Sequence, residues 1–126
     1  MSSIYAENIV DHYRFPRNFG KLENAQLKAR ELNPLCGDEI EFNINLDQNK
    51  RVSEVKFDGR GCAICLAASS MLTEKIKGKK LEEVHELTDK DVLELLNIEL
   101  SPNRKKCALL SLWVLKSAIE KFDNLS

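Results

Sequence analysis

The chain has no excess of either charge. Lys and Arg together number 19 and Asp and Glu 20, for a formal net charge of −1. That near-balance argues against broad nucleic-acid binding, which draws on a surplus of Lys and Arg. No apolar run approaches the roughly 20 residues needed to span a bilayer. Met1 to Val10 has neither the basic start nor the apolar centre of a secretory signal. A cytoplasmic protein with no membrane segment is the expectation. Internal repeats, linkers and low-complexity stretches are also missing, so residues 1–126 read as a single domain. What is present is ordinary for a globular chain: 43% apolar and 31% charged residues.

Cysteine is scarce, and its context gives it meaning. There are four: Cys36, Cys62, Cys65 and Cys107. In a reducing compartment they are not expected to form two structural disulfides. Metal binding or redox chemistry is the sharper reading, and burial as a small apolar residue the blander one.

The stretch Gly59-Arg60-Gly61-Cys62-Ala63-Ile64-Cys65-Leu66-Ala67-Ala68-Ser69-Ser70-Met71-Leu72-Thr73-Glu74 organises the rest. A strand runs into two glycines, and Cys62 stands where a helix begins. Lys75, Lys77 and Gly78 form that helix's last turn and stop. The first turn of a helix presents free N–H groups and the positive end of the macrodipole, a setting that favours a thiolate.

Upstream, Ser2 or Ser3 caps a first helix with Ile4, Tyr5, Ile9 and Tyr13 as its apolar stripe, ending near Arg14 because of Pro16. His12 reads as a satisfied or half-exposed helix residue rather than a ligand. Ala25–Arg30 has a composition that suits a helix, but Leu27 and Ala29 alternate with Gln26, Lys28 and Arg30, which reads as a strand; Asn33–Asp38 reads as a loop. Ile40, Phe42, Ile44 and Leu46 alternate with Glu39, Glu41, Asn43 and Asn45, a half-buried strand. Asp47–Lys50 turns the chain into a return strand from Arg51 to Asp58, with Val52 out of phase, which implies a bulge or a late start. One face of this sheet is polar, so helices are expected on the other alone. Downstream come short helices over Leu81–Leu87 and Asp91–Leu96, the second capped by Thr88, with His85 on a solvated face. After a break at Leu100–Asn103, the last helix is expected to start around Arg104–Cys107 and run to about Phe122. Leu112, Leu115, Ile119 and Phe122 form its buried stripe, flanked by Trp113.

Cys36 lies in a Gly-containing loop, Cys62 at a helix start, and Cys107 after the basic run Arg104-Lys105-Lys106. The helix starts and the basic run favour thiolates. Asp38 sits two residues after Cys36, across Gly37. Three thiolates and a carboxylate suit a tetrahedral zinc ion or the irons of a small iron–sulfur cluster. The gaps of 62−36 = 26 and 107−62 = 45 residues mean that only tertiary folding can assemble such a site. A thiol–disulfide oxidoreductase is a further reading of Cys62-Ala63-Ile64-Cys65. It needs parallel βαβ connections where the strands read as a hairpin, and it leaves Cys36, Asp38 and Cys107 without roles.

Asn33-Pro34-x-Cys36-Gly37-Asp38, Gly59-x-Gly61-Cys62 with Ala68–Glu74, and Arg104-x-x-Cys107 resemble the three motifs of IscU/NifU-type iron–sulfur cluster assembly scaffolds. Asp11-His12-Tyr13-x-x-Pro16-Arg17-Asn18-x-Gly20 resembles that family's N-terminal segment. The resemblance implies an α+β fold, a three-stranded antiparallel sheet with helices packed on one face and the metal site at one end. It implies that Cys36, Asp38, Cys62 and Cys107 hold a transient iron–sulfur cluster, [2Fe–2S] in type, or Zn2+ at the same site. Cys107 is then the persulfide acceptor, a cysteine desulfurase the sulfur donor, and recipient apoproteins the destination; the chain is a carrier more than an enzyme.

The chain also departs from that family. Lys106 stands where the IscU branch has His, and Arg104-Lys105-Lys106-Cys107-Ala108 resembles the SufU branch, whose members bind zinc and relay persulfide sulfur. The insertion that branch carries between its second and third cysteines is absent. The chaperone-binding motif of the IscU branch is reduced to Leu100-Ser101-Pro102-Asn103-Arg104, which leaves an Hsp70-type chaperone a doubtful partner. Cys65 is additional to the family's three cysteines. It either shares a helix face with Cys62 or fills the core.

Overall fold

The structure is a computed structural model that describes residues 4–34 and 37–125, with side chains to residue 123. Helix α1 spans Ile4–Arg14, followed by strands β1 (Leu27–Leu32), β2 (Glu39–Leu46) and β3 (Val52–Arg60). Helices α2 (Ala63–Ile76), α3 (Leu81–His85), α4 (Asp89–Leu96) and α5 (Pro102–Leu125) complete the chain. The three strands form one antiparallel sheet in the order β1-β2-β3. This is the α+β architecture expected above.

Alternation sets the sheet's inner face. Leu27 pairs with Ile44, Ala29 with Phe42, Phe42 with Phe57, and Ile44 with Val55, and all are buried. The expected bulge falls between Asn45 and Leu46, which brings Val52 back into the core. Helix α5 packs on β1 and β2, α2 on β3, and α1 and α4 on α2. Leu112, Leu115 and Ile119 are buried on α5, while Trp113 is exposed.

Among the described residues no helix covers the opposite face, yet two of its polar residues are buried. Glu41 is 4% exposed and Asn43 1%. Lys21, Lys28 and Arg30 close over Glu41 with nitrogens at 3.8, 4.0 and 3.5 Å, and Asn43 Nδ2 donates to it at 3.1 Å. The long basic stems do the covering that a helix does on the other side.

Four expectations are corrected. Strand β1 starts two residues late, and β3 runs on to Arg60. Ile4, Tyr5 and Tyr13 are exposed, so only Ile9 of the expected α1 stripe is buried. The helix meets α2 through the narrower strip of Ile9 and His12, three residues apart. Ser2 and Ser3 lie outside the described residues. Helix α3 ends at His85, short of Leu87, and α4 takes in Asp89 after its Thr88 cap. The last helix begins at Pro102, not beyond it. Proline has no N–H to lose at the first helical position, and its fixed φ suits it. Ser101 caps that start: its Oγ accepts the Arg104 N–H at 3.3 Å and its carbonyl the Lys105 N–H at 2.9 Å. No helix among the described residues is long and apolar enough to cross a membrane.

Candidate metal centre

Cys62 is the N-cap of α2, with φ −71° and ψ 167°. Its sulfur accepts the Cys65 N–H at 3.5 Å, as a capping oxygen would. Half-buried, Cys62 sits at the end of the sheet where β3 gives way to the helix.

Asp38 comes to the same end from the β1–β2 loop. The Asn33 N–H donates to the Asp38 carbonyl at 2.8 Å, and the Gly37 N–H to the Asn33 carbonyl at 2.8 Å. Gly37 has φ +75°, a value that glycine adopts without strain. The Asp38 side chain then points inward, and the residue is 5% exposed. Gly61 makes room for it: a Cβ there would lie 2.8 Å from Asp38 Cγ and 3.0 Å from Oδ1. Gly59 serves the sheet instead, since a Cβ on it would stand 2.0 Å from the Glu39 carbonyl oxygen.

Cys107 comes from α5 and is 8% exposed. Because the helix opens at Pro102, Cys107 lies beyond its first turn. The free N–H groups that the sequence reading assigned to it belong to residues further back. Arg104, Lys105 and Lys106 are exposed at its flank.

Ligand atoms of Asp38, Cys62 and Cys107 all lie within 4.8 Å of one another. Asp38 Oδ2 is buried and has no hydrogen-bond partner among the described residues. A buried carboxylate oxygen left unsatisfied costs free energy. A cation between it and the two sulfurs would remove that cost, and two thiolates with one carboxylate suit zinc or an iron site. The donor set therefore fits a metal. Cys36, the fourth residue of the expected set, lies outside the described residues. Cys65 is wholly buried in the core and outside this group.

His12 is a satisfied residue. Its Nδ1 is 2.7 Å from Ser70 Oγ, which also accepts the Arg17 N–H at 2.8 Å, and its Nε2 is 3.6 Å from Glu74. Asn18 Nδ2 donates to Thr73 Oγ1 at 3.0 Å. These bonds pin the N-terminal segment to the flank of α2. Burial and the Arg17 guanidinium hold the His12 pKa below its ordinary value, against the pull of Glu74 and Asp11. His85 is half exposed, 4.0 Å from Glu120. The residue that sequence reasoning missed is Gly61. It read only as one of two glycines between a strand and a helix, and its lack of a side chain is what admits the carboxylate.

The model of the NifU-like N-terminal domain family matches residues 4–126. The chain belongs to this family. Among curated members it is similar to the iron–sulfur cluster assembly scaffold protein IscU of Aquifex aeolicus, 40% identical over 123 residues that cover 97% of this chain and 78% of the relative. It is also similar to IscU of Escherichia coli K12, 31% identical over 123 residues covering 95% and 94%. A solved structure described as a candidate SUF-system scaffold, FiSufU from Fervidobacterium islandicum AW-1, superposes with a TM-score of 0.77. It is 30% identical, with 92% of this chain and 96% of that one covered. A NifU-like N-terminal structure from Brucella abortus also gives 0.77, covering 98% and 96%, at 15% identity; it speaks to the fold alone. The three-stranded sheet with helices is thus the fold of this family.

Proposed function

We propose that this protein is an iron–sulfur cluster assembly scaffold. Cys36, Asp38, Cys62 and Cys107 hold a transient cluster, [2Fe–2S] in type, for transfer to apoproteins. The observation that carries the reading is the buried Asp38 Oδ2, without a hydrogen-bond partner among the described residues, beside two thiols. Kinship with curated IscU scaffolds supports it. Cys107 accepts sulfur from a cysteine desulfurase: its thiolate attacks the outer sulfur of the donor persulfide, a new S–S bond forms on Cys107, and the donor cysteine leaves as a thiolate. The cations at Arg104, Lys105 and Lys106 favour an anionic donor at that mouth.

Asp38 governs release. A carboxylate is a harder ligand than a thiolate, less suited to the cluster's irons and easier to displace. Asp38→Ala is expected to keep a reconstituted cluster longer and pass it on more slowly. Cluster loss to a chelator or acceptor protein, followed by absorbance beside the wild type, tests this, and faster loss in the variant overturns it.

The second reading is a zinc-dependent sulfurtransferase. Lys106 in the place of His and the likeness to FiSufU favour it. The same residues then hold Zn2+, which organises the site and frees Cys107 to take the persulfide; Asp38→Ala weakens zinc retention and sulfur acceptance. Iron and acid-labile sulfide in protein purified without oxygen support the scaffold. One tightly held zinc without sulfide supports the relay.

A further inference from the structure

Cys65 has no part in either reading. It stands one turn after Cys62 on the same helix, wholly buried, while Cys62 is half-buried at the cap. The Cys62 sulfur already lies over that turn, 3.5 Å from the Cys65 nitrogen. We propose that Cys62 and Cys65 form a reversible oxidation site: under peroxide the pair closes to a disulfide and takes Cys62 out of the metal-binding group. The effect on metal rests on the function proposed above; the disulfide itself does not.

The order of events follows from exposure. Hydrogen peroxide reaches Cys62 first. The Cys62 thiolate attacks one peroxide oxygen and keeps it as a sulfenic acid; the O–O bond breaks, and the other oxygen leaves as hydroxide and takes up a proton to become water. The Cys65 sulfur then attacks the sulfenic sulfur, the S–S bond forms, and the hydroxyl leaves as a second water. Two electrons pass from the thiol pair to the peroxide. A dithiol reverses the closure by exchange.

Geometry favours Cys65 over Cys107 as the resolving thiol. Residues three apart on a helix hold their Cβ atoms about 5–6 Å from each other, and a disulfide needs about 3.5–4.5 Å. Cys62 has extended rather than helical dihedrals, so the first turn closes that gap by local rotation. Cys107 Sγ also lies within 4.8 Å of Cys62 Sγ, but it belongs to α5, so that bond would cross-link two helices rather than close within one turn.

The test uses metal-free protein treated with one equivalent of hydrogen peroxide, then alkylated under denaturing conditions and digested with trypsin. No Lys or Arg lies between Gly61 and Glu74, so one peptide ending at Lys75 carries both cysteines. That peptide is expected to lose both labels and two hydrogens while Cys107 keeps its label. Dithiothreitol should restore both labels and zinc uptake together. In Cys65→Ser, or Cys65→Ala if serine disturbs folding, an excess of peroxide should carry Cys62 past the sulfenic acid to sulfinic and sulfonic acids that dithiothreitol does not reverse, while the wild type taken through the same excess recovers. A cross-link from Cys62 to Cys107, or full labelling of Cys65 in the oxidised wild type, overturns the proposal. So does wild-type-like recovery in the variant. An untreated protein that binds no metal counts against the function proposed above and leaves the peptide result to decide this one.

Discussion

Two buried carboxylates stand three residues apart at the start of β2, and they have opposite surroundings. Glu41 is under three basic side chains and accepts a hydrogen bond from Asn43. Asp38 has two sulfurs near it and an oxygen with no hydrogen-bond partner among the described residues. A carboxylate that serves the fold is neutralised from within the chain, because leaving it unpaired costs stability. On the function proposed above, the open carboxylate of Asp38 is the one that its ligand completes. Burial alone does not separate the two; the inventory of partners does.

The largest test of this contrast is metal retention. On the proposed ligand set, Cys36→Ser, Cys62→Ser and Cys107→Ser should each lower zinc or iron retention at least about tenfold, since loss of even an outer-shell partner of a metal ligand costs about that much. Cys65→Ser and Glu41→Gln should stay within about threefold. Metal content after dialysis against a weak chelator reads this directly. Loss in Cys65→Ser alone would break the assignment.

Next come the glycines that frame the two sites. Gly59→Ala forces a Cβ against the Glu39 backbone at a φ of +147°, and should cost about 3 kcal/mol or more in denaturant unfolding. Gly61→Ala presses on the Asp38 side chain rather than on backbone. A cost of about 1–2 kcal/mol is expected, with metal affinity falling more steeply than stability. Equal effects of the two substitutions on both quantities would count against separate roles.

Smaller still, and opposite in sign, are the changes in metal-free stability when the carboxylates are removed. Asp38→Ala relieves an unsatisfied oxygen and should raise the unfolding free energy by about 1 kcal/mol. Glu41→Ala leaves Lys21, Lys28 and Arg30 facing one another and should lower it. Those cations are largely solvated, so about 1 kcal/mol is again the scale. The contrast fails if both variants move the same way.

The smallest effect is a pH dependence away from both carboxylates. The folded pKa of His12 lies below the unfolded value near 6.5, so the unfolded chain binds the proton more readily. The neutral ring's contribution is complete above pH 6.5 and is lost as pH falls from there through the folded pKa. Denaturation midpoints measured between pH 8 and 5 should decline, and His12→Gln should flatten that slope. An unchanged slope would mean that another group carries it.

Much of this was readable from residue order. The alternation in Glu39–Leu46, the phase slip at Val52, Cys62 ahead of an uninterrupted helical run, and Thr88 as a cap are local signals, and the structure bears each of them out. Such features depend on neighbours a few residues away, where backbone geometry and side-chain period act. The motifs likewise pointed to Asp38, Cys62 and Cys107. What residue order could not say was which apolar side chains of α1 find a surface, since Ile9 and Tyr13 look alike until α2 is in place. Nor could it say that Pro102 opens its helix, that Lys21, Lys28 and Arg30 converge on one carboxylate, or that Gly61 clears space for another. Loop β1–β2, the cap of α2 and the second turn of α5 come together only because the sheet and α5 pack on one core. Separations of 24 and 45 residues between Asp38, Cys62 and Cys107 carry no distance until that packing closes them to within 4.8 Å.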